Sequence, residues 1–343
     1  MLSAKTSDVA IDIGQYAVKL IELKKNSGTY VVSTYRASRL NRSEVHNEVG
    51  AIQQAVSNVA GQYNFSKRSA ITHIPLGDTI TRKIDIEPSL SDYDTDGSIE
   101  VELGEVLPFT LDQVYYDYHM LDNEGHYLAV AARRDIVNQR VDAITQTGKY
   151  TKRSQPQIEV DVDAYAYGRL VSQIYSRHFA DNEIIVLVDI GSKKSRFYFY
   201  DATGLIFHRE QQIGGQQVTD SIMDIYSLSE QEAEERKVHQ SVGEEFTDLV
   251  LTPYANSFAE QVNLVFDFFD ASKKTDAPIA KVALCGGGAC LKGLRKALNA
   301  QVEYPIGDLD LSEVVINKHA DDQDWANAML QFALPVALLC EGE

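Results

Sequence analysis

V-A-I-D-I-G-Q-Y-A-V-K-L-I-E-L (residues 9–23) and, far downstream, I-V-L-V-D-I-G-S-K-K-S-R-F-Y-F-Y (residues 185–200) carry one pattern twice. Each is an apolar strand, an Asp-x-Gly turn and a second strand of alternating polarity, the signature of a β-hairpin. One such hairpin is ordinary. Two copies, followed by V-A-L-C-G-G-G-A at residues 282–289, imply a duplicated α/β protein with a nucleotide between its halves.

The turns suggest the chemistry. Asp12 and Asp189 end the two apolar strands, and Gly14 and Gly191 follow two residues later. Phosphate binding needs backbone N–H groups at close range, which a side chain at the turn would block. Asp12 and Asp189 on facing loops are candidate Mg²⁺ ligands, and Lys19 adds a positive charge. Gly214-Gly215 opens a helix through residue 225, and is either a flexible turn or a site that offers free N–H groups to an anion. Gly286-Gly287-Gly288 lets backbone lie against a flat ligand, as an adenosine pocket requires. Glu234 and Lys237 are three apart on one helix face, either an exposed ion pair or a pair that holds ribose hydroxyls.

Between these motifs the first hairpin is followed by a helix around residues 45–60, its apolar face Val45, Val49, Ile52, Val56 and Val59, with Gly61 as a terminating glycine. Strands follow at 70–74 and 79–86, then a turn-rich acidic boundary at 88–98. A compact unit comes next: strands 114–121 and 127–132 joined by D-N-E-G, then a helix capped by Asp135 and ending at Gly148. It interrupts the α/β pattern and reads as an insertion. Ser229 and Glu232 form a capping box, and a long helix starts at Thr252-Pro253. Shorter helices are expected near 291–298 and 325–339.

Composition excludes several classes. With 343 residues, 44% hydrophobic and 24% charged, the chain suits two soluble domains. Its 32 basic against 50 acidic residues give a net charge of −18, and no basic stripe exists, so no nucleic-acid partner is expected. Residues 1–8 are polar without a signal-peptide core, and the apolar run 332–340 is too short to span a bilayer. A cytoplasmic protein without direct membrane insertion is expected. Cys285, Cys290 and Cys340 show no C-x-x-C spacing and read as small buried groups. There is no P-loop, G-x-G-x-x-G, H-E-x-x-H or G-x-S-x-G motif, and no catalytic nucleophile.

The order of motifs resembles the actin and sugar kinase superfamily, which implies two RNase H-like domains around an ATP cleft. A closer resemblance, through nearly the whole chain, is to the PilM proteins of type IV pilus assembly, relatives of the cell-division protein FtsA. It rests on E-V-L-P-F-T-L-D-Q-V-Y-Y-D-Y (105–118), E-V-D-V-D-A-Y-A (159–166), R-E-Q-Q-I-G-G-Q-Q-V-T (209–219) and Y-S-L-S-E-Q-E-A-E-E-R-K (226–237). The resemblance implies an actin-like α/β fold. Its domain 1A would be 1–78, 149–183 and the terminal helix 325–343. A small inserted subdomain, 1C, would be 79–148, and a second domain 184–324, with its own insertion at about 220–275.

The same resemblance implies ATP or ADP with Mg²⁺ held by Asp12, Gly14, Lys19, Asp189, Gly191, Ser192, Gly214, Gly215, Glu234, Lys237 and Gly286–Gly288, with Asp161 near the connecting helix. It implies at most a weak ATPase. The partner implied is the cytoplasmic N-terminal tail of a PilN-like inner-membrane protein, within a pilus assembly platform. The tail would dock between 1C and 1A in a groove for which Leu107, Pro108, Phe109 and Tyr118 are candidates. The protein would then be peripheral to the inner membrane through its partner, with room for self-association and for a mannose-sensitive pilus subtype. Gln15 and Tyr16 replace the small hydroxyl residues usual in the first phosphate loop, and Gly97 and Gly104 weaken a helix expected in the insertion. A small-molecule kinase would need Asp161 or Asp189 as base. An FtsA-like filament protein would need a basic amphipathic terminus, and this chain ends A-L-L-C-E-G-E.

Overall fold

The computed structural model describes residues 9–26, 29–41, 47–61, 63, 69–122, 124–146, 157–239, 243–273, 275–317, 325 and 328–341. In chain order, the first domain opens with β1 (Val9–Ile13), β2 (Ala17–Asn26), β3 (Thr29–Arg39), α1 (Glu48–Ala60) and β4 (Ala70–Ile74). The insertion supplies β5 (Thr79–Asp85), α2 (Asp92–Val106), β6 (Val114–Met120) and β7 (His126–Arg133). Then α3 (Arg134–Thr145), β8 (Ile158–Val162) and α4 (Asp163–Ala180) lead back. The second half runs β9 (Ile184–Ile190), β10 (Ser195–Asp201), β11 (Gly204–Gln211), α5 (Gly215–Tyr226), α6 (Glu230–His239), α7 (Glu244–Phe246) and α8 (Thr252–Ser272). It continues with β12 (Ile279–Cys285), α9 (Leu294–Leu298), β13 (Ile306–Asp308), β14 (Val315–Asn317) and α10 (Ala333–Leu339).

The sequence duplication becomes a duplication of topology. One sheet has the order β14-β3-β2-β1-β4-β8 and the other β11-β10-β9-β12-β13. Apart from the added edge strand β14, both place a hairpin and its third strand before two parallel strands. β9 is buried at every residue because helices cover both faces of its sheet. Helices α4 and α10 lie in the apolar layer shared by the two sheets, and all seven residues of α10 are buried. The outer faces are closed by α1 on one sheet and by α8 on the other. A third sheet, β5-β7-β6, packs α2 through Ile99 and Leu103 into a small core of its own.

Several local expectations are corrected. The stretch at 88–98 is turn only up to the cap: from Asp92 it is the first half of α2, which Ser91 caps by accepting from Asp94 N–H, and Thr95, Ile99 and Leu103 bury one face. Gly97 and Gly104 face open space and cost only propensity. Gly61 ends α1 in the right-handed region and not as a left-handed cap, and Val49 is exposed. Asp135 sits in the first turn of α3 and pairs with Arg133, which is itself the cap residue. The helical run into α8 already begins at Glu244 and continues through Thr247–Leu251, so Thr252-Pro253 sits inside it. β14 pairs with β3 of the first sheet, although the boundary at 324 assigns it to the second domain. The expected start of α1 at 45 and the stop at Gly148 fall outside the described residues.

Phe332 is 1% exposed and packs edge-on against Tyr35 and beside Trp325, where the turn before α10 meets β3. Phe332→Ala should lower unfolding free energy by about 3–5 kcal/mol, read as a lower urea midpoint.

Candidate functional site

The two hairpin turns face each other across a cavity of about 620 Å³. In each copy the glycine closes the turn in the same way: Gly14 N–H donates to Ala17 O at 3.1 Å, and Gly191 N–H to Lys194 O at 3.0 Å. A Cβ on Gly191 would stand 2.8 Å from that Lys194 oxygen. In each copy, too, the carboxylate that ends the first strand has a cation opposite it on the second. Lys19 pairs in register with Asp12, and Arg196 with Asp189. The spacing of seven residues is common to both hairpins and is the signal that would have singled out Arg196.

The two carboxylates differ electrostatically. Asp12 accepts from Lys19 Nζ at 2.8 Å and from His73 Nε2 of β4 at 2.9 Å. Burial pushes its pKa up, but Lys19 and His73 outweigh burial and hold it well below the usual carboxylate range. For Lys19 the balance is the mirror image: burial would lower it, and Asp12 keeps it raised. Asp189 has Arg196 Nη1 only at 4.0 Å. Burial prevails there, against Arg196 and Lys19, and its pKa is raised. A buried carboxylate so weakly compensated suits a divalent cation.

Gly286 adopts a φ of +86°, and a Cβ there would lie 2.3 Å from Asp189 Oδ1 and 2.6 Å from Ile190 O. Gly288 has no room either, its Cβ position being 2.3 Å from the Ile190 side chain. Gly287 faces open space in the cavity wall. Thus two glycines let the β12 turn press on β9, and the third leaves a flat wall.

The pair Gly214-Gly215 does something other than expected. Gly215 N–H donates to Gly191 O at 2.9 Å and Gln216 N–H to Ser192 O at 2.7 Å. The second hairpin turn therefore caps α5, and these N–H groups are not free for an anion. A side chain at Gly214 would meet Ser192 O at 2.4 Å. Close packing of loop on helix is the reason for glycine here.

Glu234 and Lys237 form a 2.6 Å ion pair at the cavity wall, and Lys237 also donates to Gly215 O and Thr219 Oγ1. Thr219 hydrogen-bonds Glu234 as well. Burial would raise the Glu234 pKa, but Lys237, Thr219 and Tyr16 together leave it lowered. Tyr16 Oη, from the first hairpin turn, donates to Glu234 Oε2 at 3.0 Å. The Arg39 guanidinium lies 4.8 Å from the Tyr16 ring centroid and 3.8 Å from Glu230. Tyr16 and Arg39 thus bridge the two halves at the mouth of the cleft.

Of the expected nucleotide residues, all but Gly214 line this cavity. Sequence reasoning missed His73, Arg140 and Arg196, which line it too. Asp161 does not: it pairs with Arg169 on α4. The neighbouring Asp163 is buried and accepts from Leu76 and Ala164 N–H. In the insertion, Leu107 is buried in the small core and supports the surface without forming it. Pro108 is exposed, Phe109 is half-buried under the Arg133 guanidinium at 5.4 Å, and Tyr118 hydrogen-bonds Asp96 of α2.

Two halves of matched sheet order, joined by shared helices and facing each other across a glycine-walled cleft, define an actin-like protein. The family model of the type IV pilus assembly protein PilM matches residues 10–338, and the chain belongs to that family. Among solved structures, the chain is similar to the PilM-PilN type IV pilus biogenesis complex, at 19% identity over 98% of both chains with a TM-score of 0.73. It is also similar to the ethanolamine utilization protein EutJ from Carboxydothermus hydrogenoformans, at 14% identity over 98% of this chain and 89% of that one, TM-score 0.54. Among the described residues no helix is long and apolar enough to cross a membrane.

Because the folded state raises the Asp189 pKa, it binds that proton more tightly than the unfolded chain does. Stability from this group is therefore lost as pH rises through the folded-state pKa. In EDTA, Asp189→Asn should unfold at a temperature no lower than wild type at pH 7, and the difference should shrink on acidification. Glycine roles are separable by the same melting assay. Gly286→Ala should destabilise by about 1–3 kcal/mol or more, whereas Gly287→Ala should melt near wild type.

Proposed function

We propose that this chain is an actin-like scaffold of type IV pilus assembly that holds ATP with Mg²⁺ in its cleft and binds the N-terminal cytoplasmic tail of a PilN-like inner-membrane protein. The observation that carries the reading is the paired hairpin turn, each with a strand-end carboxylate and a cross-strand cation, in a chain of the PilM family.

In this reading Lys19 and the N–H groups of the two turns face the phosphates, and Gly287 offers its flat wall to the base. Glu234 and Lys237 take the ribose, and Gly214 acts indirectly by seating the second turn on α5. Asp189 and, through water, Asp12 would hold Mg²⁺, which would supply neutralising charge at the phosphates. Arg196 and Glu210, 3.3 Å apart at the cleft wall, restrict where an anion can sit. The kinase alternative loses one of its two candidate bases, since Asp161 is paired with Arg169 outside the cavity.

The tail would reach the inserted subdomain and the first domain beside it, with Phe109 and Tyr118 nearest the expected groove. Cytoplasmic flanks of membrane helices are enriched in Lys and Arg, and α2 presents exposed Asp92, Asp94, Asp96, Glu100 and Glu105 as an acidic surface. The chain would then be cytoplasmic and held at the inner membrane through this partner.

Calorimetric titration of a PilN-like N-terminal peptide, with and without Mg-ATP, tests the reading. Binding should be measurable and should weaken as ionic strength rises. Absence of binding in both conditions would falsify the scaffold function, and indifference to salt would remove its electrostatic part.

A further inference from the structure

The inserted subdomain is rooted in the wall of the cleft. The chain enters it past Pro75, Gly77 and Asp78, all of which line the cavity. Leu76, in the same turn, is pinned by its N–H to buried Asp163 at 2.8 Å. The chain leaves through α3, which touches the insertion at one end and the cleft further along. At the first end, Arg134 Nε donates to Val114 O of β6 at 2.9 Å, and its guanidinium lies 4.7 Å from the Tyr115 ring centroid. Further along, Arg140 Nη1 donates to Ile13 O at 3.0 Å, one residue before the Gly14 turn. The far end is anchored by Ala143 and Ile144 in the core beneath α1.

Among the described residues Arg140 has no carboxylate in salt-bridge contact. It lines the cavity and is half-buried, and among the described residues Ile13 O is its only hydrogen-bond acceptor. No carboxylate lies within 4.0 Å of it among those residues, whereas Lys19 and Lys237 each have one and Arg196 has three. Burial lowers its pKa, yet a guanidinium keeps its charge at neutral pH. Asp12, Asp78 and Asp163 act on it only from beyond contact distance, and a partly desolvated charge with no carboxylate in contact gains from an incoming anion.

Resting on the nucleotide reading above, we propose that Arg140 contacts the phosphates of a nucleoside triphosphate in the cleft and that α3 passes this contact to the inserted subdomain. An anion beside the Gly14 turn draws the guanidinium toward it. Because α3 is anchored beneath α1 and tied to β6 through Arg134, the shift reaches β6 and β7. Occupancy of the cleft thereby sets the conformation of the partner-facing subdomain, and by linkage the partner sets nucleotide affinity.

The test uses the full chain, Mg-ATP, calorimetry for affinity and hydrogen exchange for β6 and β7. In wild type, Mg-ATP should slow exchange in those strands. Arg140→Met should bind ATP about ten-fold or more weakly, and at saturation should show no slowing there. Arg134→Ala, outside the cavity, should keep wild-type ATP affinity and lose most of the slowing in β6. Wild-type affinity and slowing in Arg140→Met overturn the proposal and leave the nucleotide reading intact. So does wild-type ATP binding with no change in β6 and β7. If Arg140→Met does not fold, the Arg134→Ala arm decides, retained slowing counting against the proposal. If wild type shows no ATP binding, the nucleotide reading and this inference fall together.

Discussion

The buried carboxylate of Asp12 holds the first half together at the point where three strands meet. It ends β1, takes Lys19 from β2 and takes His73 from β4. A buried carboxylate is stable only with such compensation, because removal from water penalises the charge and paired donors must offset it. Once Lys19 and His73 are in place, the hairpin register and the parallel β1–β4 pairing are fixed together. The Gly14 turn then has one position over the cavity, and Tyr16 O accepts from Leu40 N–H at 2.8 Å to bind that turn to the end of β3. The second copy lacks this closure. Its carboxylate has a single arginine at salt-bridge limit, so the two hairpins differ: one turn is fully compensated and the other only weakly.

How the halves meet follows from the chemistry at the two ends of the cleft. Behind it, α4 and α10 share one apolar layer with both sheets, and Tyr200 Oη of the second sheet donates to Ala164 O of α4 at 2.6 Å. Separation there would expose buried apolar surface. At the mouth, the bridge is a half-buried tyrosine hydroxyl on the buried Glu234 carboxylate and an exposed arginine beside the tyrosine ring. Polar contacts near solvent exchange readily for hydrogen bonds to water, whereas apolar burial does not. Opening is therefore easiest at the mouth, with the shared helices as the fixed side.

Much of this was legible in the sequence, and what was not has identifiable causes. Period-two alternation around Asp12 and Asp189 gave the hairpins, and the triple glycine gave the cavity wall. The helix α2 was obscured because acidic residues and Gly97 and Gly104 imitate a turn-rich segment, while its burial signal is only Thr95, Ile99 and Leu103. Arg196 was discoverable from the repeated seven-residue spacing. His73 and Arg140 were not, because each reaches the site through tertiary pairing: one through the parallel neighbour of β1, the other through the helix that returns from the insertion. Gly214-Gly215 shows a different limit. Sequence marks where N–H groups can come close, but not which acceptor claims them, and here the acceptors are Gly191 O and Ser192 O.

The bulky first turn gains a specific meaning from this geometry. Gln15 and Tyr16 are bulky for a phosphate loop, which read from sequence alone suggests a blocked one. Tyr16 instead extends across the mouth, its ring beside Arg39 and its hydroxyl on Glu234. Burial and the Glu234 charge raise its pKa, so it remains a neutral donor. Glu234 already receives Thr219 and Lys237 on its other oxygen. A ribose that used this carboxylate would have to share Oε2 with Tyr16 or displace it. On the proposed nucleotide reading, Tyr16 would place the obstacle on the ribose side and not at the phosphates, and entry of the sugar would be coupled to release of the bridge between the halves.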